Sequence, residues 1–434
     1  MQLPLRMPWP RVVVARGAAR PLLAGAIAVE LACMLALVLG AAEAHPWLIP
    51  AARHGFPSWL QGPLPAVDVG LDKDTIGALL LVMALAYGAV LALAPRVGGR
   101  WPLGVCIAAI AVCGLAPPLL SADVFGYVAW GQLGAHGVNP YSHPSIAVGH
   151  DALRPFLLWD HGSTPYGPLF TAATYALAPL GVAAALWSMK AVAALCAVAC
   201  VLLLWRTASR LGRAPGPAVL ALGLNPLVLV YGVGGAHNDF MLEALVLAGV
   251  LAAVTGRVRA GAGAFTAATA MKASAVLALP FLIAGSPRLR RPLVAAVATA
   301  AALAAGAFVI FGSPLLNLAG ALGAQQHDVA IHSFPAEIAR LFGGDTLPSW
   351  GHLLANLVLV AIVALLLVRT RRGADWLTNA GWAYVALLVT TAWLLPWYVT
   401  WAVPFAALSE DRRLIGAVWV LTLAIVVLRL PLLS

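Results

Sequence analysis

Apolar runs of 17 or more residues recur from one end of this sequence to the other, and they restrict the fold more than any other feature. As a helix, each run can cross a hydrocarbon layer of about 30 Å. Only 10% of the residues are charged, where a soluble domain carries about 25%. The sequence therefore predicts an all-α, polytopic integral-membrane protein. The net charge of +10 is then to be sorted by side of the membrane, and no nucleic-acid partner is read from it. Cys33, Cys106, Cys113, Cys196 and Cys200 all lie inside apolar runs and read as small core hydrophobes.

Basic residues set the sidedness. Arg6, Arg11, Arg16 and Arg20 precede the first apolar run. That run, 21–42, is longer than a signal-peptide core and reads as an uncleaved span with a cytoplasmic N-terminus. Further spans are expected at 75–94, 102–120, 188–205, 217–235, 240–255, 293–312, 351–368, 378–395, 398–409 and 413–430. The run 259–286 is too long for one span and holds Lys272 in its middle, so it reads as a hairpin of two short spans turning at Lys272. The count is about 13, within a range of 11–14. Segment 166–185 is apolar, but Pro165, Pro168 and Pro179 make it a poor straight span. Laid in the interface, it returns Arg206, Arg210, Arg213, Arg257 and Arg259 to the cytoplasm. This arrangement puts 19 of the 26 Lys and Arg inside and 11 of the 16 Asp and Glu outside. It describes one integral-membrane domain over 1–434, with two large far-side loops, 121–187 and 313–350, able to cap a cavity.

Polar residues beside lipid are costly and tend to mark function. Asp123, Tyr127 and Trp130 recur at helical spacings of four and three, at the lip of an apolar segment. Asp123 could equally cap a surface helix. A polar, aromatic loop follows, with Asn139, Tyr141, His143, His150, Asp151, Asp160, His161 and Tyr166. Its composition suits sugar binding, although each single histidine reads first as a turn cap. His237, Asn238 and Asp239 sit at a turn between two apolar spans, with Glu243 four residues on. Lys272 calls for an anion: the phosphate of a lipid-linked donor, or a salt bridge to Asp239 or Asp123. Trp397 and Tyr398 suit either an interfacial belt or a stacking platform. Metal-ligand spacing is not evident among the histidines.

Taken in order, Asp123-Val124-Phe125-Gly126-Tyr127 with Gly131, Asn139-Pro140-Tyr141, Tyr166-Gly167-Pro168, Asn225-Pro226-Leu227, His237-Asn238-Asp239, Lys272 with Leu279-Pro280-Phe281, and Pro396-Trp397-Tyr398 resemble the GT-C glycosyltransferases that use polyprenyl-phosphate sugars. The nearest group is the actinobacterial α-1,6-mannopyranosyltransferases. Gly126 stands where that family has a charged or polar residue. The resemblance implies a GT-C fold with juxtamembrane helices in the first large periplasmic loop, in the bacterial cytoplasmic membrane. It implies Asp123 as catalytic base and a β-linked polyprenyl phosphomannose as donor. Substrate contacts are then expected from Tyr127, Trp130, Asn139, Tyr141, Tyr166, His237, Asn238, Asp239, Lys272, Trp397 and Tyr398, with Arg154 as a second candidate cation. The acceptor is expected to be a glycan or glycolipid hydroxyl. No cofactor is read from the residues, and a divalent ion stays open. Arabinose or glucose transfer within the same fold is the close alternative; a lipid-linked sugar transporter is the alternative outside it.

Overall fold

In the computed structural model, residues 19–49, 55–96, 98–148, 152–158, 162–327, 330, 332–344 and 346–430 are described. Arg6, Arg11 and Arg16, and the loop residues His150, Asp151, Asp160 and His161, lie outside them. Among the described residues there are seventeen α-helices and no strand. In order they are α1 Ala19–Ala42, α2 Lys73–Leu93, α3 Trp101–Leu115, α4 Asp123–Ala135, α5 Pro168–Tyr175, α6 Gly181–Arg210, α7 Pro215–Gly223, α8 Asp239–Val254 and α9 Val258–Thr269. They continue with α10 Ala278–Gly285, α11 Arg290–Phe311, α12 Asn317–His327, α13 Phe334–Leu341, α14 Ser349–Arg371, α15 Trp376–Thr390, α16 Val403–Leu408 and α17 Arg412–Arg429.

Each expected span overlaps helix, but several extend past it and the helices differ in length. Five stretches are long and apolar enough to cross a membrane alone: α1, α2, the stretch from α5 through α6, α11 and α14. A sixth is the bent pair of α7 and a π-helical turn at Leu227–Val233. The remaining expected spans are shorter, interrupted or, as in α17, loaded with three arginines. A helix such as α9, with 12 residues, rises only about 18 Å. It stops part-way through an apolar layer, and polar groups gather where such helices stop.

The breaks have local causes. Pro226 has no N–H to donate and interrupts the helix, and the Asn225 carboxamide caps the turn that follows: its Oδ1 accepts from the N–H of Leu227 and Val228 at 3.0 and 3.2 Å. Its Nδ2 donates to Thr422 on α17 at 2.9 Å. The result is a bend of 52° between α7 and the π turn. Likewise α9 ends at Thr269 and the chain resumes helix only at Ala273, leaving Lys272 extended between them (φ −153°, ψ 133°).

Segment 166–185 does not form one straight helix. Its α5 has eight residues, about 12 Å of rise, and packs on α4. Gly181, at φ 71°, then turns the chain into α6. The long helix thus starts seven residues before the expected 188, and α4 and α5 lie as short helices in the first large loop. The bundle pairs α1 with α2, α6 with α8, α8 with α9, α9 with α11 and α14 with α15. Only 11% of the most apolar window of α11, and 6% of that of α14, is buried inside the protein. A helix apolar on all sides and so little covered is a lipid-facing helix.

Candidate active site

Asp123 opens α4, where a carboxylate meets the positive end of the helix dipole. The approach to it is strained. Leu120 adopts φ 54°, which for such a side chain costs of order 1–3 kcal/mol and is held only by its surroundings. Here the Leu120 N–H donates to the Leu48 carbonyl at 2.7 Å, and the Leu119 N–H to the Gly234 carbonyl at 3.0 Å. The Gly234 carbonyl also accepts from Lys190 Nζ at 2.7 Å. Ala236, at φ 57°, then delivers His237-Asn238-Asp239. Two strained turns, pinned to one another and to α6, therefore face each other.

A third piece is fixed by close backbone approach. The Gly167 N–H donates to the Met271 carbonyl at 3.0 Å, and the Leu169 N–H to the Ala270 carbonyl at 2.9 Å. A Cβ on Gly167 would collide with the Ala270 carbonyl. Glycine there lets Tyr166 and Lys272 leave adjacent backbones towards the same space.

That space is a cavity of about 600 Å³. Asp123, Trp130, Tyr166, Lys272, Tyr398 and Trp401 are among the residues that line it, and Gly320, Ala321, Leu322 and Ala324 of α12 close one side. Asp123 Oδ2 lies 3.4 Å from the Tyr166 hydroxyl and 3.5 Å from His237 Nδ1. Both are long for hydrogen bonds. Lys272 Nζ donates to both carboxylate oxygens of Asp239 at 2.9 Å, and the Trp401 indole donates to Asp239 Oδ1 at 2.7 Å. The ammonium also stands 4.9 Å from the centre of the Tyr398 ring and 5.4 Å from that of Trp401. His237 stacks on Trp397 at 3.5 Å. Among the described residues the Trp130 indole N–H and the Ser274 hydroxyl, both on the cavity wall, have no hydrogen-bond partner. Unsatisfied buried donors at a cavity wall point to a polar ligand.

Of the expected site residues, Asp123, Trp130, Tyr166, Lys272 and Tyr398 line this cavity. Tyr127, His237, Asn238, Asp239 and Trp397 stand directly behind them: the Tyr127 hydroxyl is 3.4 Å from both the Tyr166 hydroxyl and Asn238 Oδ1. Asn139 and Tyr141 are placed elsewhere. The Asn139 amide donates to the Phe311 carbonyl at 2.6 Å, and Tyr141 is buried against Phe311 with its hydroxyl on the Tyr166 carbonyl at 2.9 Å. They brace the loop on α11. Arg154 is exposed and does not line the cavity. His143 caps its own turn through the Asn139 carbonyl. Sequence reasoning passed over Lys190, Ser274 and Trp401; only the first carried a signal, a lone cation inside an apolar run.

His237 lies in the turn between the π-helical segment and α8. Burial, and then the charges of Lys272 and Lys190, hold its pKa well below the ordinary 6.5. The unfolded chain takes up this proton below about pH 6.5 and the folded chain does not. Stability present above that pH is therefore lost as the pH falls, by at most about 1.4 kcal/mol per pH unit. The thermal midpoint in detergent is expected to drop between pH 7 and pH 5, and His237→Gln to flatten that drop. An unchanged slope in the variant would assign the pH dependence to other groups.

Comparison with known proteins adds the decisive observation. Residues 22–287 match the family described as alpha-(1->6)-mannopyranosyltransferase, N-terminal domain, and residues 343–432 match the MptB C-terminal domain. The chain belongs to the alpha-(1->6)-mannopyranosyltransferase family. Its all-α, polytopic membrane architecture is accordingly of GT-C type. Over 341 residues it is 31% identical to alpha-(1->6)-mannopyranosyltransferase A of Mycobacterium tuberculosis, an alignment spanning 70% of this chain and 64% of that protein. It is 29% identical over 183 residues to the protein of that name in Corynebacterium glutamicum, across 39% of this chain and 35% of the relative. Alpha-(1->6)-mannopyranosyltransferase B of C. glutamicum is 27% identical over 172 residues, across 34% and 26%. The chain thus spans less than two thirds of the length of these curated relatives. Among the described residues no three His, Cys, Asp or Glu side chains converge to hold a metal ion.

Proposed function

We propose that this chain is an inverting mannosyltransferase that moves mannose from a β-linked polyprenyl phosphate to a hydroxyl of a glycan or glycolipid. The reading rests on one observation: a single cavity carries a carboxylate at Asp123, an ammonium at Lys272, and aromatic walls at Trp130, Tyr398 and Trp401. The acceptor oxygen attacks the anomeric carbon through an oxocarbenium-like state. The bond from that carbon to the phosphate oxygen breaks, and its electron pair leaves with polyprenyl phosphate. Asp123 takes the proton from the acceptor hydroxyl. Lys272 faces the growing negative charge on the phosphate. Neutral His237 and the Tyr166 hydroxyl orient the Asp123 carboxylate; burial, and then the Asp123 charge, hold the Tyr166 hydroxyl protonated. Displacement from the opposite face turns the β-linked donor into an α-mannoside, and the relatives' names support an α-(1→6) linkage. The tail of the donor lies in lipid beside the helices. The polar end of the bundle faces the extracytoplasmic side of the bacterial cytoplasmic membrane, with the N-terminus inside, because this placement keeps most Lys and Arg in the cytoplasm.

The test is to give membranes containing this chain radiolabelled polyprenyl phosphomannose and an α-mannoside acceptor. An α-mannosidase-sensitive product is expected. Polyprenyl phosphoglucose and polyprenyl phosphoarabinose, run in parallel, decide the donor sugar. Label that crosses the bilayer without forming a glycosidic bond would replace the enzyme with a transporter.

A further inference from the structure

A second cavity, of about 840 Å³, lies between α6, α8 and α9 at the far end of the bundle. Three arginines line it: Arg206, Arg210 and Arg257. They come from two segments. Arg206 and Arg210 are four residues apart on α6 and so share a face. Arg257 is brought back towards them by the turn after α8, where Gly256 adopts φ 84° and the Arg257 N–H donates to the Ala252 carbonyl at 2.8 Å. Among the described residues none of the three makes an ion pair, whereas neighbouring Arg213 reaches Glu410 at 3.6 Å. Three exposed arginines line one cavity, and among the described residues none has an acid as partner, so the cavity attracts an anion.

The rest of the lining describes the anion. Leu203 and Leu251 carry apolar wall on from the arginines along the sides of α6 and α8, and Trp205 and Thr255 complete the rim. A free phosphate would use only the cationic end. An amphiphile with a phosphodiester head and apolar chains uses both, and basic pockets between membrane helices take such headgroups. We propose that this cavity binds an anionic phospholipid. The occupant is separate from the sugar donor, because α8 runs 16 residues from Asp239, behind the first cavity, to Val254, next to Thr255 of the second, about 24 Å. Such a lipid would clamp the α8–α9 turn to the end of α6, and thereby fix the helix whose other end holds Asp239.

The purified full chain in detergent is titrated with dioctanoyl phosphatidylglycerol, dioctanoyl phosphatidylcholine and inorganic phosphate, reading Trp fluorescence and the thermal midpoint. Phosphatidylglycerol is expected to bind at least about tenfold more tightly than either of the others. The combined variant Arg206→Gln, Arg210→Gln, Arg257→Gln is expected to lose that preference. Arg257→Gln alone should weaken it, and Arg288→Gln with Arg291→Gln, at a different cavity of the same end, should leave it intact. Equal binding of phosphatidylcholine, binding of phosphate as tight as that of the lipid, or an unaltered preference in the combined variant would each overturn the proposal. None of these outcomes depends on sugar transfer, so the site can fail while the proposed activity stands, and the reverse.

Discussion

Asp123→Asn is expected to lower mannosyl transfer by about 10³-fold while the protein stays inserted and folded. The size follows from what surrounds the carboxylate. A general base must reach the acceptor hydroxyl from the cavity and accept its proton. The other nearby carboxylate, Asp239, is wholly buried and already accepts from Lys272 and Trp401. The nearby imidazole, His237, is also buried, and its ring stacks on Trp397, away from the cavity surface. Asp123 alone of these acidic and imidazole groups lines the open space. Asparagine keeps the shape and an acceptor for the Tyr166 hydroxyl while removing the base. The loss should appear in kcat, with donor affinity changed by less than about threefold. Turnover at the wild-type level in this variant would remove Asp123 from the reaction and leave the cavity without a base.

The helix positions were legible because apolar runs and arginine clusters are one-dimensional signals. The turn at Lys272 was legible too, since an ammonium inside a run of 28 residues must lie where the helix stops. The same argument applies to Lys190, but its partner is a backbone carbonyl, Gly234, and no sequence pattern announces a carbonyl. Asn139 and Tyr141 illustrate the opposite failure. An Asn-Pro-Tyr step in a polar loop has one composition whether it meets a sugar or braces a turn against α11. Trp401 was hidden for a third reason: its partner, Asp239, is 162 residues away. The short lengths of α9, α10 and α16 are also tertiary facts. Hydropathy reads the apolar run and is blind to the place inside it where the backbone leaves the helix.

Lys272→Met is expected to act twice, and the two effects separate. The first is structural. Asp239 is fully buried, and removing its ammonium partner leaves an uncompensated charge, which costs about 3–5 kcal/mol. The second is chemical. Lys272 also lines the cavity, next to the space where a departing phosphate gathers charge, and losing one such stabilising group costs about 10²–10³-fold in kcat. Asp239→Asn added to Lys272→Met restores a neutral pair and keeps an acceptor for the Trp401 indole. The double variant should therefore recover most of the lost thermal stability. Its kcat should stay down by about 10²-fold if the ammonium serves the leaving phosphate, and Lys272→Arg, which keeps the charge, should retain more activity than either. Recovery of turnover together with stability in the double variant would confine Lys272 to a structural ion pair. The phosphate would then have to be met by a group other than the cation this cavity provides.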